Sequence, residues 1–262
     1  MLLLRVTRGE RATAAIHSLL AGLAFWTAAA IAQERAPLRV DNWAYYQRNT
    51  DDSERWQYRL RAFAPFDLGG GWTFTQRADL IFYYTDRKGP ENPAGEWAAG
   101  AGDWFVEESF ATPELAKNLK GVLGARFVFP TGGLSPFGSG QYQWAPVLGL
   151  TYTMPGRGLT LAPLARYFMS YHAAETAAGQ VRRLDFYPTA SQRFGEDWTF
   201  SAWNENPISY NDVTRKWFVP LDAMLIKRVR KDVEFGVGAA YGLVRDDPQY
   251  LSQVYGRLTF YF

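Results

Sequence analysis

Apolar and polar residues alternate through most of the chain from Val40 to Phe262, and a period of two belongs to strands whose two faces meet different surroundings. Twelve segments carry the pattern: 38–48, 55–65, 71–85, 103–112, 120–130, 143–154, 158–172, 181–192, 197–205, 215–229, 232–244 and 251–262. In the third, Trp72, Phe74, Ala78, Leu80, Phe82 and Tyr84 share a face, with Thr73, Thr75, Arg77 and Asp79 on the other. In 158–172, Leu159, Leu161, Ala165, Tyr167, Met169 and Tyr171 oppose Thr160, Arg166, Ser170 and His172. The last segment sets Val254, Leu258, Phe260 and Phe262 against Arg257, Thr259 and Tyr261.

Two kinds of connection join these segments. Phe66–Gly70, Pro155–Arg157, Phe194–Glu196 and Arg230-Lys231 are short and rich in Gly, Pro and charge, whereas 86–102, 131–142, 173–180, 206–214 and 245–250 are longer. Pro113–Leu119, following a Thr112 able to cap it, reads as one helical turn. Long loops alternating with short turns are expected of an all-β, antiparallel transmembrane β-barrel of twelve strands, apolar towards lipid and polar towards its lumen. An even strand number returns both ends of the barrel to one side, the periplasmic side of such a protein. With that topology Trp56, Tyr84, Trp104, Trp144, Tyr171 and Trp217 fall at the outer rim. Trp72, Tyr152, Trp198 and Phe262 fall at the inner one, so the aromatic residues form two girdles at the two membrane interfaces. A soluble sandwich, the alternative for such alternation, gives tryptophans no reason to collect at strand ends.

Composition and charge narrow the picture. Aromatics make up 16% of the chain, with ten Trp, which suits interfacial belts. Residues 33–262 contain no apolar run long enough for a helical span. The absence of cysteine excludes a disulfide scaffold, a thiolate metal site and a cysteine nucleophile. Arg5, Arg8 and Arg11 precede the apolar run Ala14–Ala32, which closes on Ala30-Ile31-Ala32. That order is a secretory signal peptide over 1–32, cut before Gln33 and followed by the barrel over 33–262; an uncleaved anchor is the alternative. Setting aside those three arginines and Glu10 leaves 25 of the 28 basic and 25 of the 26 acidic residues. A neutral mature chain lacks the basic surplus that nucleic-acid binding needs.

Candidate chemistry is sparse. His172 is the one histidine after the signal, and Ser170 stands two residues before it, which raises the possibility of a nucleophile beside its base. Barrel lipid hydrolases use such a pair on the lipid face in the order His-x-Ser; here the order is Ser-x-His and alternation turns both inward. One histidine cannot build a histidine metal site. Gly132–Gly140 lacks the Gly-Lys-Ser/Thr of a phosphate loop. The acidic pairs Asp51-Asp52 and Asp246-Asp247 lie in loops. Glu107-Glu108 lies in a strand, and alternation puts Glu108 towards lipid, which requires a bulge, a rim position or a subunit contact. The lumen-facing set is the stronger candidate: Arg59, Arg61, Arg77, Arg126, Arg166, Arg183 and Arg257, with Asp79, Glu107, Asp185, Asp222 and Glu234. In a narrow twelve-strand barrel these charges either pair into a plug or line a restricted channel, and the arginine surplus leans towards anions. Phe63, Tyr83, Tyr187 and Phe218 are inward candidates for an apolar patch.

Two stretches carry a resemblance. The ending on Phe260-Tyr261-Phe262 resembles the C-terminal signature of bacterial outer-membrane barrels, which marks Phe260 and Phe262 as an assembly signal. Phe129-Pro130-Thr131-Gly132-Gly133, then Gly138-Ser139-Gly140 and the apolar strand Trp144–Tyr152, resemble the outer-membrane proteins associated with the meta-pathway of phenol degradation. The likeness covers roughly 127–152 and implies a small-solute or aromatic-compound channel. The expectation is therefore a porin-like barrel in the outer membrane of a Gram-negative bacterium, without cofactor or metal. Its partners would be outer-membrane lipid, the barrel-assembly machinery and small solutes that cross by diffusion. A barrel hydrolase acting on membrane lipids and a sealed structural barrel are the alternatives.

Overall fold

Alternation of this kind leaves every strand with one apolar face, and closing the sheet on itself turns all of those faces outward at once. The computed structural model describes residues 37–173 and 179–262; the signal read in 1–32 lies outside the described residues. The strands are β1 (Arg39–Arg48), β2 (Glu54–Gly69), β3 (Trp72–Thr85), β4 (Ala98–Ala101), β5 (Trp104–Ala116), β6 (Leu119–Phe129) and β7 (Gln141–Met154). They continue with β8 (Leu159–Ala173), β9 (Arg182–Phe194), β10 (Trp198–Ala202), β11 (Ile208–Asn211), β12 (Lys216–Arg230), β13 (Val233–Arg245) and β14 (Ser252–Tyr261). All pairings are antiparallel. β14 pairs with β1 from Arg39↔Tyr261 to Arg48↔Ser252, so the sheet closes into a barrel.

Two staves of this barrel are interrupted. β4 and β5 both pair with β3, and β10 and β11 both lie between β9 and β12. Fourteen strands therefore make twelve staves, the expected number. Leu148, Leu150, Val237, Leu221 and Val254 stand exposed on the outer face, with Trp56, Trp144, Tyr171 and Trp217 at one rim and Trp72, Tyr152, Trp198 and Phe262 at the other. Both described ends of the chain lie at the second rim, called the lower rim below.

Three features differ from the sequence reading. Pro113–Leu119 is not a helical turn: β5 runs to Ala116 through a bulge between Ala111 and Glu114, and Asn118 turns the chain at φ 62°. Asparagine tolerates that left-handed conformation, so a two-residue turn replaces the helix. Segment 206–214 is not one loop, because Ile208–Asn211 rejoins the sheet as β11; the break instead falls at 203–207, inside a stave. Glu108 needs no bulge. Register is unbroken there, with Glu107 opposite Arg77 and Arg126, and Glu108 opposite Gln76 and Ala125. Glu108 faces outward with Gln76, whose Nε2 donates to it at 3.5 Å.

The inside of the barrel is packed on two flanks. Trp43, Tyr45, Met224 and Tyr255 form one buried cluster, and Ile81, Phe105, Val128, Ala145 and Phe168 form another across the lumen. Glycines make the first possible. A Cβ at Gly238 would overlap the Tyr255 ring, so only glycine on β13 lets Tyr255 pack, tilted, against Trp43 and Tyr45.

Candidate functional site

The lumen holds a cavity of about 510 Å³. Its wall carries seven arginines: Arg55, Arg59, Arg61, Arg77, Arg126, Arg166 and Arg183. Alternation along β2, β3, β6, β8 and β9 points them inward, and the register then stacks them beside acids on neighbouring staves. Arg61 lies opposite Asp79, Glu107 opposite Arg126, and Arg166 opposite Asp185.

Two clusters result, joined by Arg77. In the first, the fully buried Asp79 carboxylate accepts from Arg61 Nε at 2.9 Å and from Arg77 Nε and Nη2 at 2.7 and 3.0 Å, with Arg59 Nε 3.8 Å away. In the second, Glu107 accepts from Arg126 Nε at 2.8 Å and from Arg166 Nε and Nη2 at 2.8 and 3.1 Å, while Arg77 Nη1 stands 4.0 Å off. Arg126 also lies over the Phe105 ring, 4.0 Å from its centroid. One carboxylate shared by several guanidinium groups leaves positive charge over, and a guanidinium is the cation best suited to planar acids. Arg183 pairs with Asp185 at 2.8 Å, and Asp185 also accepts from Ser209 Oγ.

The break at 203–207 shapes the cavity. Trp203, at φ 47°, donates its indole N–H to the Pro220 carbonyl at 2.9 Å, and the chain then bends into the lumen. The buried Asp222 carboxylate holds the bend from below. It accepts the backbone N–H of Glu205 and Asn206, the Asn206 amide at 2.9 Å, and the Tyr255 hydroxyl at 2.6 Å. Glu205 is thereby carried to the opposite wall. Its carboxylate meets Arg61 through two contacts of 3.1 Å, the Tyr45 hydroxyl at 2.7 Å, and Arg59 Nη1. From the β10–β11 stave to β1 and β2 is four to five staves of twelve, close to a full diameter. The bend is a constriction.

Not every residue of the sequence-derived set joins the cavity. Arg257 pairs with Glu234 at 3.2 Å and lies 5.4 Å from the Trp43 ring centroid, outside the cavity wall. Asp222 acts on Glu205 rather than on the open space. Tyr83 and Tyr187 line the cavity, Phe63 lies between Arg39 and Arg77, and Phe218 is buried under Tyr250. Glu205, Arg55, Tyr45 and Tyr250 were not singled out from the sequence. For Glu205 a signal existed: Asn204-Glu205-Asn206-Pro207 places proline where a central stave would need its N–H. Tyr250 belongs to the β13–β14 loop, and its buried hydroxyl has no partner among the described residues.

The other candidates resolve as structure. Ser170 Oγ accepts the Val181 N–H at 3.0 Å and the His172 ring lies against Tyr142, so neither engages the other. Within 132–140, Gly132 N–H and both the N–H and hydroxyl of Ser139 point at the Asp103 carboxylate. An acid of the protein fills the place a phosphate would take.

No protein-family profile matches the chain, and no curated protein sequence does. Solved structures match its fold. An outer membrane channel from Pseudomonas putida F1 superposes with a TM-score of 0.67 at 11% identity, covering 88% of this chain and 97% of that one. The NanC porin gives 0.54 at 15% identity, covering 86% and 98%. An active-site variant of outer membrane phospholipase A from Escherichia coli gives 0.52 at 10% identity, covering 86% and 91%. The fold is thus that of the outer-membrane β-barrels, a class that includes channels and at least one enzyme.

Proposed function

We propose that the chain is an outer-membrane channel through which small solutes diffuse. The observation that carries this reading is the cavity itself, a space of about 510 Å³ inside the barrel whose wall is arginine-rich. A barrel evolved only as a structural stave ring gains nothing from seven inward guanidinium groups, each costly to desolvate. Counting Asp79, Asp103, Glu107, Asp185 and Glu205 against them leaves the cavity two charges positive, which favours anions. Its narrowness follows from Glu205, so passage is restricted rather than wide. The outward apolar belt and the rim aromatics support lipid as the surrounding medium, with the lower rim periplasmic. The export signal over 1–32 and the resemblance to the phenol meta-pathway proteins fit the same reading, with aromatic solutes as its finer form. Tyr45, Tyr83 and Tyr187 on the wall support that form.

Two rivals remain in other classes. A lipid hydrolase would require Ser170 to be free for attack, and its oxygen is instead held by Val181. A sealed barrel draws support from the Trp43–Tyr45–Tyr255 packing beside Glu205, which fills one flank of the lumen. Planar-bilayer recording separates them from a channel. Purified, folded protein is expected to give single-channel steps in potassium chloride with a reversal potential on the anion side. Folded protein without steps would overturn the channel reading.

A further inference from the structure

Six of the seven cavity arginines are tied to a carboxylate. Arg55 is the exception. Its Nε donates to Gln47 Oε1 at 2.6 Å, its guanidinium carbon lies 4.8 Å from the Tyr83 ring centroid, and no ion pair reaches it among the described residues. A guanidinium stacked on an aromatic face and fixed through Nε presents its two terminal nitrogens as a ready fork for a planar acceptor. Beside it the wall changes character. Tyr83 packs against the buried cluster of Ile81, Phe105, Val128, Ala145 and Phe168, and Tyr83, Phe105, Val128 and Phe168 all reach the cavity surface.

We propose that Arg55 and Tyr83 form a binding site for small aromatic monocarboxylates, the carboxylate on the Arg55 fork and the ring along the Tyr83–Val128–Phe168 wall. A single uncommitted positive charge matches a monoanion, whereas a dianionic phosphate ester would need a second. The flat apolar wall matches a ring, whereas a short aliphatic acid would leave it wet. The site deepens the channel reading, which supplies the route by which such a solute arrives.

Calorimetry on the folded, detergent-solubilised barrel tests the site without requiring it to conduct. Benzoate is expected to bind about tenfold more tightly than acetate or benzyl alcohol, since each lacks one of the two contacts, ring or charge. Arg55→Gln should weaken benzoate by about tenfold, and Arg55→Lys by less, because the charge remains and the fork does not. Tyr83→Leu should weaken benzoate by several-fold more than it weakens acetate, which draws on the Arg55 fork alone. Arg55 holds no ion pair, so its variants should fold, as shown by heat-modifiable migration; if one did not, the ligand series on the unaltered protein and Tyr83→Leu still decide. Benzoate binding no tighter than acetate, phenyl phosphate binding tighter than benzoate, or Arg55→Gln binding benzoate unchanged would each overturn the site. Protein that conducts but ignores benzoate loses this site alone, and protein that binds benzoate without conducting loses the channel reading alone.

Discussion

Glu205 leaves its own stave and meets Arg61 on the far wall, where Nη1 and Nη2 of Arg61 each stand 3.1 Å from its carboxylate. The contact is made across the lumen rather than along the sheet, and Asp222 presses the bend into place from behind. This pair places a side chain across the lumen and cancels one positive charge among the arginines around it.

Replacing Glu205 by Ala is expected to widen the path and uncover Arg59 and Arg61. Conductance in potassium chloride should rise about twofold or more, and anion selectivity should increase with it. Bilayer recording of the variant beside the parent checks both. A variant with unchanged conductance and reversal potential would mean that ions do not pass by Glu205.

Glu107 answers a different question, because it is structural charge. Arg126 and Arg166 both bond to it, with Arg77 at 4.0 Å. Removing one partner of a buried ion network leaves the others uncompensated, at a cost of about 3–5 kcal/mol. Glu107→Gln should therefore shift the urea midpoint for unfolding from lipid vesicles well downward. Glu107→Gln combined with Arg126→Met should recover part of the loss, since the second change removes an unpaired charge. Equal stability of Glu107→Gln and the parent would show that water, not protein, compensates these arginines.

Glu108 and Gln76 face the other way, towards the apolar belt, one third of the way up β3 from Trp72. An acidic group at such depth destabilises a barrel by up to about 2 kcal/mol. Glu108→Leu is expected to raise stability in vesicles by about 1–2 kcal/mol, measured by reversible urea titration. A loss of stability instead would show that the Gln76–Glu108 contact outweighs the cost of holding the acid in the belt.

How legible all this was depends on the range of the interaction. Period-two alternation is a local property of each strand, so the twelve staves, the two girdles and the inward direction of Arg61 or Glu107 could be read from neighbours in sequence. The break at 203–207 could not be read in the same way. Phe200 to Trp203 alternates well enough to pass for a strand, and what lifts Glu205 out of it is Asp222 on the next stave together with Arg61 nearly a diameter away. Arg55 was missed for a related reason. Its distinction is the lack of an acidic partner, and partners are fixed by register between strands, which sequence does not display. Pro113–Leu119 looked helical because a capping threonine and a proline suit a helix start; the β5–β6 ladder won because the hairpin needed only Asn118 to turn.

Phe262 joins the barrel by a slender link. Its N–H donates to the Leu38 carbonyl at 2.9 Å, its ring lies 6.4 Å from Phe260, and 74% of the residue is exposed. Deleting it removes one backbone hydrogen bond and no lumen contact, a loss of about 1 kcal/mol, while the ladder between β14 and β1 keeps its full register. Stability and conductance of the refolded variant should therefore stay close to those of the parent. Assembly in cells should not, if the terminal aromatic is what the assembly machinery grips: the yield of heat-modifiable barrel in outer membranes is expected to fall by about tenfold, since a recognition site that loses a buried aromatic anchor loses energy on that scale. Comparing in-cell yield with refolding in pure lipid separates the two roles. Normal yield in cells would strip Phe262 of any part in assembly, and poor refolding in pure lipid would make its role structural.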